Sequence, residues 1–499
     1  MSPAESLLVV DVGTSSVRSS LVRPDASVAH AHVRPIPPFT PAPGLVEVDG
    51  RAIAHAVLDT ARAALDEGGP VGAVGITNQR GTTLVWERRS GEPVAPGLGW
   101  QDLRTVGTCL ELQAQGVRLA PNVSATKVSW ILDQVDPQRA KDDELCFGTV
   151  DTWVAWTLAG GPDVALHVTD ITNAGITGLV RHDGTDWDDR VLDVLRIRRS
   201  MMPEIVDSSG PVGEAGALPG RPPICGIAGD QQASMIGQGV TLAGLAKATF
   251  GTGGMLNVCT GDRRPYRDGG LGGMRGAAGT YPIAAWRRGP KMAWGVEALM
   301  LSAGACVEWL RDDLEILSDV AESAEVAAAC ASTDDLWFVP ALFGLGTPVW
   351  DFGARGALIG VTRGTGRPQL VRAVLAGVAH RGADLLEAAE SDSAMSVAAL
   401  RVDGGMSANE VFVAELAEAT GRVIEVSSEL EATTRGAGLL AGLAIGTWRD
   451  EDELASLWSP RARVEPARPE DERIARRARW LEARARSEST IPELSGISF

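Results

Sequence analysis

The sequence predicts an α/β protein made of two related lobes. The chain has 499 residues, about three times the roughly 150 residues of a typical domain, so more than one packed unit is expected. Two strand–Gly-Thr–strand patterns, around Thr14 and Thr252, lie near half a chain length apart. A third glycine turn follows Val402. Together these features predict a duplicated architecture.

The first hairpin begins with the apolar run Leu7–Val10, which is typical of a short buried strand. Asp11-Val12-Gly13-Thr14 then forms a tight turn before a second strand over 17–22. In the second hairpin, strand 246–250 leads through Gly251-Thr252-Gly253-Gly254 into strand 255–259. We place the boundary near Val240, so that residues 1–240 and 241–499 form the two lobes.

Two later segments complete the prediction. Leu400-Arg401-Val402 precedes the turn Asp403-Gly404-Gly405, which opens a helix whose apolar residues begin at Val411. The Arg-, Ala- and Glu-rich segment 471–486 carries apolar residues on one side, which indicates an amphipathic C-terminal helix.

The composition argues against several classes of protein. A formal net charge of −18 is the wrong sign for a general nucleic-acid binder or an anionic-membrane binder. The N-terminus lacks the pattern of a signal peptide, and the stretch 436–448 is too short for a membrane span. We therefore expect a cytoplasmic enzyme that acts on a small molecule, without nucleic-acid or membrane partners.

Glycine-rich turns after strands indicate phosphate binding, because glycine lets backbone N–H groups approach an anion closely. None of the four lysines is followed by Ser or Thr, so a Walker P-loop is excluded. The first strand also lacks the G-x-G-x-x-G fingerprint of dinucleotide-binding folds. Asp11, at a strand end, is a candidate for positioning Mg²⁺. The alternative is a turn-capping aspartate.

Seven ordered motifs resemble the FGGY carbohydrate kinases over essentially the whole chain, and most closely the glycerol kinase branch of that family. The motifs are Asp11–Arg18, Gly75–Arg80, Phe147–Trp153, Gly226–Gln232, Phe250–Gly253, Gly344–Pro348 and Arg401–Gly405. The resemblance implies the two-lobed, ribonuclease H-like fold of actin, hexokinase and Hsp70, with ATP in the cleft.

The resemblance also implies roles for individual residues. The first hairpin would contact phosphates, Asp11 would serve the Mg²⁺ shell, and the second lobe would hold the nucleotide. The implied phosphate and nucleotide residues are Thr14, Ser15, Ser16, Arg18, Thr252, Gly304, Glu308, Gly405 and Asn409. The implied acceptor residues are Arg80, Trp100, Asp230 and Gln231. Glu308 stands where glycerol kinases usually have Gln.

Asp230 is the candidate general base, because a carboxylate bonded to the acceptor hydroxyl can remove its proton as the phosphoryl group is transferred. The structural alternative is a helix N-cap, since the residues after Asp230 look helical.

Three positions depart from the glycerol kinase pattern. Gly81 replaces a glutamate that binds glycerol hydroxyls, Asn122 replaces a tyrosine, and Met255 replaces a phenylalanine. These losses predict a wider pocket, and restoring the carboxylate with Gly81→Glu is then expected to raise glycerol use. Side chains or water that fill the gap are the alternative.

The leading hypothesis is ATP-dependent phosphorylation of a small polyol or sugar, with glycerol as the reference acceptor. One alternative is a kinase for another four- or five-carbon polyol or ketose. A second, of a different class, is a non-catalytic nucleotide-driven switch. A homodimer or homotetramer is also expected.

Overall fold

The computed structural model describes residues 5–266, 275–429 and 431–497. Strands of the first half are β1 (Leu7–Val12), β2 (Ser16–Val22), β3 (Val28–Pro35), β4 (Glu47–Val48), β5 (Ala73–Asn78), β6 (Leu84–Glu87), β7 (Gly97–Leu98), β8 (Leu145–Gly148), β9 (Val168–Asp170), β10 (Glu204–Val206), β11 (Ser209–Glu214) and β12 (Pro223–Gly229). Strands of the second half are β13 (Ala246–Phe250), β14 (Gly254–Gly261), β15 (Tyr281–Arg288), β16 (Lys291–Met300), β17 (Trp337–Val339), β18 (Ala357–Ile359), β19 (Ala399–Asp403), β20 (Val423–Ser427) and β21 (Pro460–Val464).

The helices lie between and after these strands. They are α1 (Gly50–Gly68), α2 (Val106–Ala114), α3 (Ala125–Val135), α4 (Val150–Ala159), α5 (Ile171–Ala174), α6 (Asp189–Val194), α7 (Asp230–Gly237), α8 (Ala305–Asp312), α9 (Ser323–Ala328), α10 (Arg367–Ser393), α11 (Glu410–Thr420), α12 (Ala432–Ile445), α13 (Glu451–Ser456), α14 (Glu470–Ala485) and α15 (Pro492–Ser495). Helix α14 corresponds to the amphipathic helix that the sequence predicts.

Two mixed sheets form the centre of the molecule. The first has the order β3-β2-β1-β5-β12-β11, and the second has β15-β16-β14-β13-β19-β20-β21. In both, an antiparallel hairpin (β1 with β2, β13 with β14) is followed by two parallel neighbours. Apart from the added edge strand β15, the two sheets share one strand order and one set of orientations. The predicted duplication is therefore present.

The first sheet is buried on both faces. Leu8 and Val10 point into a core formed with α1 and α4, while Leu7 and Val9 point into a core on the opposite face. This alternation follows from the two-residue period of a strand. A continuous apolar run such as Leu7–Val10 is what a doubly covered strand requires.

Helix α12 comes from the second half of the chain but packs on the first sheet. It contacts α7 and the strands β1, β5, β11 and β12. Two glycines permit this approach, because a Cβ at Gly75 or Gly226 would lie 2.6 Å from backbone atoms of α12. The chain therefore crosses back after residue 430. Among the described residues, no helix is long and apolar enough to cross a membrane.

Candidate active site

The first hairpin turn is fixed by backbone and side-chain hydrogen bonds. Gly13 N donates to Ser16 O over 2.9 Å, and Gln79 Nε2 donates to Gly13 O over 3.2 Å. The indole Nε1 of Trp100 donates to Thr14 Oγ1 over 3.3 Å. Trp100, a predicted acceptor residue, thus contacts Thr14, a predicted phosphate residue.

Asp11 lies near the end of β1, opposite Arg18 in the hairpin register. Its Oδ2 accepts a hydrogen bond from Thr434 Oγ1 at 3.3 Å. Burial, and next the charge of Asp230, raise the pKa of Asp11 to about 6, while Arg18 opposes the shift. Arg18 also forms an ion pair with Glu431 at the start of α12. A cation close to Asp11 would therefore stabilise its ionised form.

Asp230 is the first residue of α7, and its side chain is 36% exposed. Gly229, not Asp230, holds the N-cap position, so the N-cap alternative is wrong. Burial raises the pKa of Asp230, whereas the charges of Arg80 and Lys247 lower it. The carboxylate is therefore partly exposed, and its Oδ1 accepts a hydrogen bond from Gln231 N at 2.7 Å.

Arg80 joins the two halves of the molecule beside Asp230. Its Nε lies 3.3 Å from Asp230 Oδ1. Its Nη2 donates to Glu297 Oε1 and Oε2 over 3.0 and 2.9 Å. Asn257 Nδ2 donates to Glu297 Oε2 over 3.0 Å. Because Glu297 lies on β16, this pairing crosses from the first half to the second.

Glu297 is a site residue that lies outside the seven motifs. A carboxylate in the apolar segment 293–300 is the signal that could have found it. Its side chain is only 6% exposed, and buried acids are rare unless they are paired. Because Glu297 accepts hydrogen bonds from Arg80, several N–H groups of the Arg80 guanidinium are already occupied by carboxylates of the protein.

A second site residue outside the motifs is Lys247 on β13, which is fully buried. Its Nζ donates to Gln231 Oε1 over 2.7 Å and to Thr249 Oγ1 over 2.9 Å. Burial lowers the pKa of Lys247, and Asp403 is the acid that most opposes this shift. The strand pattern Ala246–Phe250, with polar residues at alternate positions, was the available signal.

Three loops of the second half meet around Thr252. Ala303 N donates to Thr252 O, and Gly304 N donates to Gly251 O, each over 2.8 Å. Gly404 has φ +86°, and a Cβ there would lie 2.5 Å from Phe250 O. Glycine is therefore required where the third turn touches the second hairpin. These contacts bring Thr252, Gly304 and the adjacent Gly405 together.

The remaining predicted nucleotide residues differ in how far the protein already engages them. Asn409 caps α11 by accepting from Phe412 N at 3.0 Å, and its Nδ2 donates to Ser323 Oγ over 2.9 Å. Glu308 is exposed on the first turn of α8. Ser15 is exposed and Ser16 is half-buried at the first hairpin. Glu308, Ser15 and Ser16 therefore have side chains open to a ligand.

The pocket does not simply widen at Gly81. This glycine has φ +75°, and a Cβ there would lie 2.6 Å from Asn122 O. Gly81→Glu would therefore force a backbone shift, so the substitution suggested by the sequence is a poor test of acceptor choice. Asn122 is exposed and Met255 is half-buried.

Two domain models of one protein family match the chain, one in each half. Residues 6–237 match the N-terminal domain of the FGGY family of carbohydrate kinases, and residues 246–445 match its C-terminal domain. The chain belongs to the FGGY family of carbohydrate kinases. It is an ATP-dependent carbohydrate kinase, which favours the enzyme over the nucleotide-driven switch.

Several relatives and solved structures resemble the chain over nearly its full length. Glycerol kinase 2 of Thermotoga maritima is 38% identical, covering 96% of this chain and 98% of that protein. Glycerol kinase of Dechloromonas aromatica is 39% identical, with 96% and 97% covered. The structure of Plasmodium falciparum glycerol kinase with ADP is 28% identical with a TM-score of 0.88, covering 97% of this chain and 98% of that one. A xylulose kinase structure from Lactobacillus acidophilus, 19% identical with a TM-score of 0.85 and covering 98% and 100%, shares the fold.

Proposed function

We propose that the chain transfers the γ-phosphoryl group of ATP to a hydroxyl of a small polyol, with glycerol as the reference acceptor. The observation that carries this proposal is the grouping of Asp230 with Arg80, with Asp11 close enough for its charge to interact with that of Asp230. The relatives named as glycerol kinases, 36–39% identical over nearly the whole chain, support the acceptor class.

Asp230 acts as the general base. Its partly exposed carboxylate accepts the proton of the acceptor hydroxyl while the oxygen attacks the γ-phosphorus and the bond to ADP breaks. A raised pKa makes the carboxylate a better proton acceptor, and the charge of the Arg80 guanidinium opposes the rise. Arg80 is in turn held in one orientation by Glu297.

Nucleotide binding uses both hairpins. Thr14 and the turn amides of the first hairpin, with Thr252 and Gly304 of the second, contact the phosphates, because glycine-rich turns present hydroxyls and backbone N–H groups to an anion. Arg18 adds positive charge near Asp11. Gly405 and Asn409 border the adenosine, and Glu308 lies at the rim of the nucleotide site.

The residues present fit Mg²⁺ bound with the nucleotide. Among the residues that the structure describes, no group of three or more His, Cys, Asp or Glu is arranged to hold a metal ion by itself. Mg²⁺ usually needs only one or two carboxylates together with substrate phosphates. Asp11, whose pKa is raised partly by Asp230, is suited to that role. Bound Mg²⁺ would offset charge on the phosphates.

A larger acceptor is the second candidate. Gly81 carries no side chain, and the exposed Asn122 stands in place of a substrate-contacting tyrosine, so two of the groups that glycerol kinases are expected to use are absent. Four- or five-carbon polyols and ketoses have further hydroxyls that could bond elsewhere in such a pocket.

A panel of acceptors tests the proposal. ADP release is measured with ATP and Mg²⁺ for glycerol, erythritol, threitol and xylulose, with water as the control. Acceptor-dependent turnover is expected, and the highest kcat/KM identifies the acceptor class. If no member of this panel raises ADP release above water, the proposal is wrong.

Two further expectations belong to the same proposal. A homodimer or homotetramer is expected, which light scattering of the purified protein measures directly. A cytoplasmic location is also expected, and cell fractionation tests it.

A further inference from the structure

The candidate site contains a buried cation that the proposed reaction does not use. Lys247 has no exposed surface, and the two groups that its Nζ contacts, Gln231 Oε1 and Thr249 Oγ1, are both neutral. The nearest acids, Asp403, Glu297 and Asp230, act on it through space.

Burying the ammonium group of Lys247 lowers the stability of the fold. Moving an ammonium out of water is costly unless a partner charge contacts it, and an apolar side chain of similar volume often serves stability better. Ala246, Ala248 and Phe250 of the same strand point to the apolar core on the opposite face of the sheet, so the Lys247 side chain takes no part in that core. The charge at Lys247 therefore needs an explanation other than packing.

The contact with Gln231 supplies one. An ammonium group has three donors and no acceptor, so only the amide oxygen of Gln231 can face it. The Nε2 arm, with its two N–H donors, is therefore directed away from Lys247. Gln231 is half-buried and directly follows Asp230 at the start of α7. The orientation of its amide is thus set by a residue of the second sheet.

We propose that Lys247 is a positioning residue for the acceptor: by holding Gln231 Oε1, it presents Gln231 Nε2 as a donor to a non-reacting hydroxyl oxygen beside Asp230. The inference rests on the proposed function and extends it, because it makes a residue of the second sheet part of the acceptor site. Without Lys247, the Gln231 amide is free to turn and its oxygen can face the hydroxyl instead.

The first test is Lys247→Met, which has similar volume and no donor. The KM for the acceptor is expected to rise by about tenfold, the effect of one well-oriented hydrogen bond, with the KM for ATP within about twofold of wild type. Any change in kcat should follow pH, because the charge that this variant removes lowers the pKa of Asp230 in the wild-type protein. Lys141→Met, at an exposed lysine, is the matched control and should change neither KM. An unchanged acceptor KM in Lys247→Met would overturn the inference.

A second variant covers the case in which Lys247→Met does not fold. Gln231→Glu keeps an oxygen for Lys247, and so keeps the buried contact, but replaces the Nε2 donor with an acceptor. Its acceptor KM should rise at least as much, with thermal unfolding and ADP binding unchanged. If its acceptor KM stays at the wild-type value, the donor is not used and the inference is wrong.

A double-mutant cycle separates positioning from general damage. If Lys247 acts through Gln231, the double variant Lys247→Met/Gln231→Ala should have the same acceptor KM as Gln231→Ala alone. Additive effects would overturn the inference. Wild-type enzyme without acceptor-dependent turnover would reject the proposed function itself, whereas active wild type with unaffected variants rejects only the role of Lys247.

Discussion

The two sheets share one strand order but distribute their charged residues differently. In the first, Asp11 lies on the strand that opens the hairpin, and Thr77 is its partner on the parallel neighbour. In the second, the opening strand carries Thr249, and its partner on the parallel neighbour is Asp403. The acid and the threonine have exchanged strands between the two halves.

A further difference lies four residues before the first glycine of each hairpin. The first sheet has the apolar Val9 there, and the second has the buried Lys247. The shared backbone gives both halves a turn that can approach a phosphate, whereas the side chains differ. The strand order is therefore common to both halves, whereas the residues at equivalent positions give each half a different acid–base chemistry.

The largest effect is expected for Asp230, the proposed general base, which lies in the first half of the chain. Asp230→Asn should lower kcat by about a hundredfold to ten-thousandfold, the range typical of a lost general base. ADP affinity, measured by calorimetry, should stay within about twofold. Equal loss of turnover and of ADP affinity would contradict the assignment.

The second largest effect is expected when the hydroxyl of either hairpin turn, on Thr14 or on Thr252, is removed. Thr14→Ala and Thr252→Ala should each raise the KM for ATP by about tenfold, because each loses a hydrogen bond to a charged phosphate. The exposed Thr185 gives the control variant Thr185→Ala. If only one of the two variants affects the KM, the hairpins do not act as equivalents.

The third prediction concerns the turn glycines. Gly404→Ala should destabilise the fold by about 2–3 kcal/mol, since it combines a positive φ with a steric clash against Phe250 O. Gly405→Ala is the matched control, because nothing lies within 4 Å of its Cβ position. Chemical denaturation of both variants measures the difference. Equal free energies of unfolding for the two variants would show that the turn at Gly404 shifts to accept the added Cβ.

The smallest expected effect is a gain in the stability of the variant Asp11→Asn that depends on pH. The pKa of Asp11 is raised to about 6 in the folded state from an ordinary 3.8, so the folded protein binds the extra proton. The stability that this group contributes is present below about pH 4 and is lost as the pH rises to about 6. Above pH 6, without nucleotide or Mg²⁺, Asp11→Asn should therefore be more stable than wild type by about 1–2 kcal/mol.

That gain should disappear at pH 4, which thermal unfolding across the pH range can measure. A constant difference at every pH would mean that the ionisation of Asp11 is not its source. Turnover of Asp11→Asn should fall and its requirement for Mg²⁺ should rise, so this variant separates stability from activity.

Local patterns explain which features the sequence could predict. Both hairpins, the turn at Gly404 and the helix 470–485 are visible as apolar periods interrupted by glycine. The strand order within each sheet depends on pairings between distant residues, for which a single sequence holds little information. The return of α12 to the first sheet is hidden for the same reason.

The site shows the same division. The family motifs contain Asp11, Arg80 and Asp230, which the structure places near one another. Glu297 and Lys247 stand outside the motifs considered, and their importance depends on partners 217 and 16 positions away in the chain. At Gly81 the sequence predicted empty space, and only the path of the backbone reveals the Asn122 carbonyl there.

The return of α12 has a consequence for synthesis on the ribosome. When residue 240 has been translated, all six strands of the first sheet exist, but the helix that covers one of their faces has not been made. That face, with Leu7 and Val9, stays open until about 200 more residues emerge, so early collapse or chaperone capture is a greater hazard for the first half than for the second.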